Sequence, residues 1–412
     1  GYHNAAVTLT LTAGQATTNF AIGDVSATGT GDCTLSSWNA ASSTSYTVIC
    51  TPDGEGTVVT QVAAGTFTDA AGNSNTISNE YDWTHDVTDP VLSSATTAGG
   101  TKKIGDVITV TVAANAAGYT LSAGTVNGVA VAGFNDAGSG SYTMTYTVVS
   151  GNTDRSAGTT PISIVFTDTA GNTNTALTSL TESAALVIDA NAPAATTSVT
   201  VTGGTAKVGT VITATIVASE SGLTCTSCTM NGVALASFAL SSGSTYTATY
   251  TVVEGNTDRA AGATPVSLTL TDAAGNSNAE YTTLTESAAQ TIDANSPAAT
   301  TSVTGGTASL GVGDTITLTI VASEASLTCS TCTMNSGTLT NFQNTAGSTY
   351  TGVYTVVEGQ TDRNAAASNF VSIVLSDAAG NTNAAHTTLV ESGGAITIDA
   401  NTPVISSATV SG

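Results

Sequence analysis

The side chains of this 412-residue sequence with most chemical promise carry oxygen, and they recur in three settings. An Asp-x-x-Gly-Asn loop starts at Asp69, Asp168, Asp272 and Asp377 and closes at Asn73, Asn172, Asn276 and Asn381. A linker with Asp and Asn appears as Asp189-Ala190-Asn191-Ala192-Pro193 and Asp293-Ala294-Asn295-Ser296-Pro297. A glutamate closes a β-branched run at Glu220 and Glu324. Carboxylates and amides from separate loops suit calcium, which takes roughly six to eight oxygens and tolerates irregular geometry. Two ligand sets follow: Asp189, Asn191, Glu220, Asp272 and Asn276, then Asp293, Asn295, Glu324, Asp377 and Asn381. Asp69, Asp89, Asp168, Asn172 and Asp399 hold the corresponding places elsewhere, and around Asp86 and Asp89 the glutamate is replaced by Asn115. The same loop is also what an ordinary turn wants, with Asp capping amides and Gly supplying positive φ. Both readings stand at this point.

What positions these loops is a repeat. The four Asp loops lie 99, 104 and 105 residues apart, one domain length, so the chain reads as four copies of one module. Residues 189–293 show its grammar. After the linker come Thr196 to Thr202, the alternating run Val211 to Val217, then Ser237 to Leu240, Thr245 to Val253 and Val266 to Thr271, separated by Gly, Asn, Asp and Ser turns. Short period-two runs of this kind predict an all-β, antiparallel sandwich. The expected boundaries are 1–88, 89–190, 191–294 and 295–400, with a tail at 401–412. In such a sandwich the linker, the loop after the second strand and the loop before the last strand share one end, where the oxygens would meet. Glu254 with Asp258, or Glu358 with Asp362, would approach from the preceding module. Tyr142/Tyr146, Tyr246/Tyr250 and Tyr350/Tyr354 lie four apart, so each pair shares one strand face and is expected in the core.

Composition excludes several functions. With 29 acidic against 6 basic residues the net charge is −23, and such a surface repels phosphate backbones and anionic lipid, so no nucleic-acid partner is expected. No apolar run approaches the roughly 20 residues of a membrane helix, so no membrane insertion is expected. The chain begins at Gly1 without an initiator methionine, which reads as a processed or excised product. His3, His85 and His386 lie in different modules without a partnered nucleophile, and the reading is of a non-enzyme.

Six cysteines form three local pairs: Cys33/Cys50, Cys225/Cys228 and Cys329/Cys332. The two C-x-x-C pairs sit in separate modules, too far apart to share one zinc, and their flanks are strand-like where a redox thiolate wants a helix start. Local disulfides in an oxidising, extracellular setting are expected.

Asn19-Phe20-Ala21-Ile22-Gly23-Asp24-Val25, Tyr46-Thr47-Val48, the stretch Thr51 to Val58, and Phe67-Thr68-Asp69-Ala70-Ala71-Gly72-Asn73 resemble the bacterial immunoglobulin-like repeats of large surface adhesins and biofilm proteins. Gly151 to Arg155, Gly255 to Arg259 and Gly359 to Arg363 resemble sister repeats of the same group, and together these cover almost the whole chain. The resemblance implies an extracellular rod, often stiffened by calcium at its joints. It does not choose among spacer, adhesive tip and filament subunit. The linker Asp-Ala-Asn-x-Pro is similar to cadherin linkers at calcium-bound joints.

The two ends differ from the middle. Pro90 to Gly99, Pro193 to Gly203 and Pro297 to Gly305 each hold a first strand before a Gly-Gly, whereas counting back 61 residues from Asp69 reaches Thr8 with no such strand before it. The same count from Asp272 reaches Val211. Pro403-Val404-Ile405-Ser406-Ser407-Ala408-Thr409-Val410 nearly copies Pro90 to Thr97 yet no module follows it. This predicts a donor strand, with Val404, Ile405, Ser406, Ala408 and Val410 completing residues 1–85 of another copy, head to tail, in an open homopolymer. Joining Gly412 to Gly1 also restores the Gly-Gly of Gly99-Gly100, Gly203-Gly204 and Gly305-Gly306, as an excerpt of one giant covalent stalk would. A sugar- or ice-binding tip finds no aromatic platform or regular threonine array. The Thr- and Ser-rich surface is open to O-linked sugars, and no Asn-x-Ser/Thr sequon is present.

Overall fold

Val211-Ile212-Thr213-Ala214-Thr215-Ile216-Val217 shows how this sequence makes sheets. Ile212, Ala214 and Ile216 are buried while Val211 and Thr213 are exposed, because alternate side chains of a strand face opposite sides. The computed structural model describes residues 1–194, 196–304, 309–364, 371–392 and 394–411, and among them there is no α-helix. Gly305, Gly306 and Gly412 lie outside the described residues. The chain divides into two compact units, residues 1–192 with 274–276, and residues 193–273 with 277–412.

The first unit opens with two small sheets. One pairs Tyr2–His3, Tyr81–His85, Gly56–Val62 and Val25–Thr28 in that order, and the other pairs Val7–Thr12, Ser45–Pro52 and Cys33–Ala40. Leu9, Val48, Cys50, Val58 and Trp83 form the core between them. A second set of sheets follows. Its five-stranded sheet runs Ala132–Gly138, Ser141–Thr147, Val107–Ala114, Leu92–Thr97, Leu180–Glu182; its three-stranded sheet runs Val129–Ala130, Thr120–Val126, Ile162–Thr167. Val110, Val112, Tyr142, Met144, Tyr146, Ile164 and Phe166 fill that core. Full burial of such side chains is worth roughly 1.5–3 kcal/mol each.

The second unit repeats this arrangement twice. Ser198–Val201, Val211–Val217 and Thr245–Thr251 lie side by side in one five-stranded sheet, and Ala299–Thr304, Thr315–Ala322 and Thr349–Thr355 in another. Each sheet has its own core, around Tyr246 and Tyr250 in one and Tyr350 and Tyr354 in the other. All six tyrosines of the three pairs are buried, as their spacing predicts.

Two features go beyond the sequence pattern. Thr224–Met230 and Thr328–Met334 are strands, each with a register shift beside its first cysteine. The other is parallel pairing at the sheet margins: Leu180 to Glu182 run parallel to Ala95 to Thr97, and Leu186–Ile188 run parallel to Gly100–Lys102. The first strand thus serves one sheet and then crosses to the other. The crossing requires glycine, because a Cβ on Gly99 or Gly203 would stand 2.0 Å from the carbonyl oxygen of Ala184 or Ala288. Gly203→Ala should therefore destabilise its unit by about 1–3 kcal/mol or more, the cost of forced overpacking. Urea titration against Gly23→Ala, where the added Cβ meets nothing within 4 Å, checks this.

Candidate functional site

The Asp loops are closed internally. Asp168 Oδ1 accepts from the amides of Ala170, Gly171 and Asn172, and Oδ2 from Asn172 Nδ2. Asp69 does the same with Ala71 and Asn73, and Asp377 with Gly380 and Asn381. Burial pushes Asp168 up, but these hydrogen bonds outweigh it and hold its carboxyl below the usual range. The hydrogen bonds from Asn73 likewise lower Asp69.

The loop asparagine then reaches the preceding linker. Asn172 Nδ2 donates to Asp86 O at 2.8 Å and Asn276 Nδ2 to Asp189 O at 3.1 Å, both within the first unit. In the second unit Asn381 Nδ2 donates to the carbonyl and to Oδ1 of Asp293, both at 3.2 Å. The asparagine oxygens accept main-chain amides: Ile104 N to Asn276 Oδ1 at 2.9 Å, and Val208 N to Asn381 Oδ1 at 2.8 Å. Lys103 Nζ donates to Gly275 O at 3.3 Å, and Lys207 Nζ to Gly380 O at 2.7 Å. These lysines were not singled out from the sequence. The available signal was the rarity of basic residues, since all six are Lys102, Lys103, Lys207, Arg155, Arg259 and Arg363.

The Thr-Asp-Arg motifs, preceded by Asn152, Asn256 and Gln360, latch the linkers that follow them. Asp154 accepts from Ala190 N and Asn191 Nδ2, Asp258 from Ala294 N and Asn295 Nδ2, and Asp362 from Ala400 N and Asn401 Nδ2. Glu254 accepts from the amide and hydroxyl of Ser296, which lower its carboxyl, and Glu55 is lowered by Thr88 and Val87. The linker asparagines thus have their amides turned to carboxylates.

Each expected calcium ligand has a definite place. Asp189, Asp293 and Asp399 each cap the amide two residues on, at Asn191, Asn295 and Asn401. Glu220 and Asp272 lie in the second unit, Glu220 in the bend after Val211–Val217 and Asp272 directly after Val266–Thr271. Asp89 is exposed, and Asn115 accepts from Val91 N and the Tyr119 hydroxyl. In the second unit several carboxylates feel one another. Burial, then Asp377, Asp258 and Glu254, raises Asp293; burial, then Asp377, Asp293 and Asp258, raises Glu324. Among the described residues, no three Asp, Glu, His or Cys side chains are gathered closely enough to hold a metal ion.

A second site is an open sheet edge. Val7–Thr12 pairs with Ser45–Pro52 on one side, whereas Val107–Ala114, Val211–Val217 and Thr315–Ala322 each have partners on both. Beside it runs a groove of about 960 Å³, lined by Val7 to Ala13 on one wall and Thr76 to Asn79 on another. Residues 401–411 are exposed and join no ladder, with Val404, Ile405 and Val410 at 83%, 87% and 99% exposure.

The ladders correct the count that set Thr8 level with Val211. Leu11 pairs with Tyr46 as Val112 with Tyr142 and Ile216 with Tyr246, and Ala13 N bonds Thr44 O as Ala114 N bonds Gly140 O and Ala218 N bonds Ser244 O. Thr8 is therefore level with Thr213, two residues further on.

The three expected disulfides are present: Cys33–Cys50, Cys225–Cys228 and Cys329–Cys332. Where the second sandwich has no cysteines, Leu121 covers Gly124 across an equivalent register shift. A threonine array, unseen in the sequence, does exist. Thr109 faces Thr145, Thr111 faces Thr143, Thr213 faces Thr249 and Thr215 faces Thr247 on the outer sheet faces.

With this geometry, the model of the bacterial Ig-like domain family matches residues 2–84 and 293–392. These two stretches resemble bacterial immunoglobulin-like domains, a kind typical of surface proteins. Among solved structures it is similar to the ICAM-5 D1–D4 ectodomain fragment, at 12% identity over 95% of this chain and 97% of that one, TM-score 0.29. It is also similar to fibronectin(III)-like modules of Clostridium thermocellum CbhA, at 13% identity over 50% and 94%, TM-score 0.22. No curated protein matches. No helix among the described residues is long and apolar enough to cross a membrane.

Asn381→Ala removes the hydrogen bonds to Val208, Asp293 and Asp377 together. It should cost about 2–3 kcal/mol and expose the Val208 amide to hydrogen exchange; unchanged Val208 protection would refute the clamp. The raised carboxyls of Asp293 and Glu324 disfavour folding while charged. Stability of the chelator-treated protein should therefore rise as pH falls through their raised values, whereas the lowered Asp168 loses its contribution only further into acid. Glu324→Gln should flatten the first change in a series of urea midpoints against pH.

Proposed function

We propose that the chain is a non-enzymatic structural subunit of an extracellular filament, built from four immunoglobulin-like modules and joined head to tail by strand donation. The modules would be 1–88, 89–190, 191–294 and 295–400, with 401–412 as donor segment. The observation that carries this reading is the open edge of Val7–Thr12 with its groove, in a chain whose residues 403–410 repeat the strand that fills the same position elsewhere. An unpaired edge over a half-covered core is satisfied by a strand from another molecule. Support against catalysis comes from the motifs themselves, whose polar groups are engaged in turns and latches.

Calcium at the joints remains part of this proposal. The burial and mutual repulsion felt by Asp293 and Glu324 support it, since a divalent cation that drew these carboxylates closer together than they stand here would relieve both. The outer threonine faces are the natural sites for O-linked sugars.

Two measurements test the proposal. Intact mass of the native assembly, dissociated in hot detergent without protease, should give a species near 40.3 kDa, plus any glycans. A covalent species many times larger would replace the filament with a giant adhesin stalk, in which the chain's own continuation fills the groove. For calcium, chelation should lower the melting temperature, because a ligand at a hundredfold of its Kd stabilises by about 2.7 kcal/mol. An unchanged melting curve would remove calcium from the joints.

A further inference from the structure

The three two-sided sheets define how a first strand sits, and that pattern can be carried to the open edge. Ala95 lies opposite Val112, Val199 opposite Ile216 and Thr301 opposite Ile320. Two residues on, Thr97 lies opposite Val110 and Val201 opposite Ala214. Ala95, Val199, Thr301, Thr97, Val201 and Val303 are all buried, so these two positions face the core in every copy. Thr96, between them, lies opposite Thr111 on the outer face. Upstream, the register shifts so that Leu92 meets Ala114 and packs on the core, while Val91 is left exposed.

The acceptor side is fixed by the hairpin beneath it. Leu11, Leu9 and Ala13 are level with Val112, Val110 and Ala114, as the tyrosine pairings and the Ala13 amide bond establish. The donor side is fixed by sequence, because Pro403-Val404-Ile405-Ser406-Ser407-Ala408-Thr409-Val410 repeats Pro90-Val91-Leu92-Ser93-Ser94-Ala95-Thr96-Thr97.

Resting on the filament reading, we infer that the donor segment enters another copy in a single register. Val410 lies opposite Leu9, Thr409 opposite Thr10, Ala408 opposite Leu11 and Ile405 opposite Ala13. Ile405, Ala408 and Val410 turn into the acceptor core; Val404, Ser406 and Thr409 do not. A slip of one residue would put Thr409 and Ser407 inside and Val410 in water, so the alternation itself resists misregistration. The exposed valine and isoleucine of the free tail are thus unequal. Val410 and Ile405 carry the affinity, and Val404 is a bystander at the rim.

Cysteine trapping on the full chain tests the register. All six native cysteines are in disulfides, so added thiols pair only with each other. Thr10 and Thr409 are both exposed, and directly opposite residues have Cβ atoms about 4.5–5.5 Å apart, a small approach away from the roughly 3.5–4.5 Å that a disulfide spans. Under mild oxidation Thr10→Cys with Thr409→Cys should give a ladder of multiples of 40.3 kDa that collapses with reductant. Thr8→Cys with Thr409→Cys should not. Efficient trapping at Thr8, or filaments in electron micrographs that trap at neither position, would overturn the register and leave strand donation standing. Absence of both filaments and intermolecular cross-links would overturn strand donation itself, and a cross-link confined to single chains would do the same. As an independent check, Val410→Asp should abolish filaments while Val404→Asp leaves their number and length unchanged; equal loss in both would refute the assigned faces.

Discussion

A strand at the margin of a sheet leaves a row of amides and carbonyls without partners, and the architecture of this chain is arranged around where that row goes. In three of the sandwiches the first strand takes an antiparallel neighbour on one side and a parallel one on the other, and in two of them it passes to the opposite sheet at Gly99 or Gly203. One segment therefore closes two sheets. Beside Val7–Thr12 the first of these duties is unfilled, although Tyr2–His3 still performs the second by running parallel to Thr84 and His85. The open groove is a local consequence of that division of labour.

The linkers obey a related economy. A chain with six basic residues cannot neutralise its carboxylates by ion pairs, so it spends them as acceptors for main-chain amides and for asparagine side chains. Asp168 and Asp377 fold their own loops, Asp154 and Asp258 hold the following linker, and Asn172 and Asn381 reach the preceding one. At Asp293 and Glu324 burial, and then the neighbouring carboxylates, leave both carboxyls raised.

Much of the fold was legible because it follows from period two. The runs Val211 to Val217 and Thr245 to Val253 show their buried faces in the sequence, and the tyrosine pairs report theirs by spacing. Parallel pairing was not legible, since Leu186 to Ile188 reads the same whichever way its neighbour runs. The strands Thr224–Met230 and Thr328–Met334 were hidden because a register shift beside the first cysteine breaks their alternation. The Asp loops were legible as polar and recurrent, but sequence does not distinguish a carboxylate that faces a cation from one that faces its own backbone. The threonine array was hidden for a different reason, as it arises from pairing between strands distant in the chain.

The parallel pairing of first and last strands also bears on force. In Gly100–Lys102 against Leu186–Ile188 the two strands run the same way, so tension applied through the linkers pulls them along their length in opposite directions. Every hydrogen bond of the pair is then loaded at once, in shear. An antiparallel hairpin pulled from its two ends would instead open one bond after another, like a zip. The same geometry recurs at Gly204–Lys207 with Gln290–Asp293 and at Ser309–Leu310 with Thr397–Ile398. Tension along the chain would thus load each such seam as a whole.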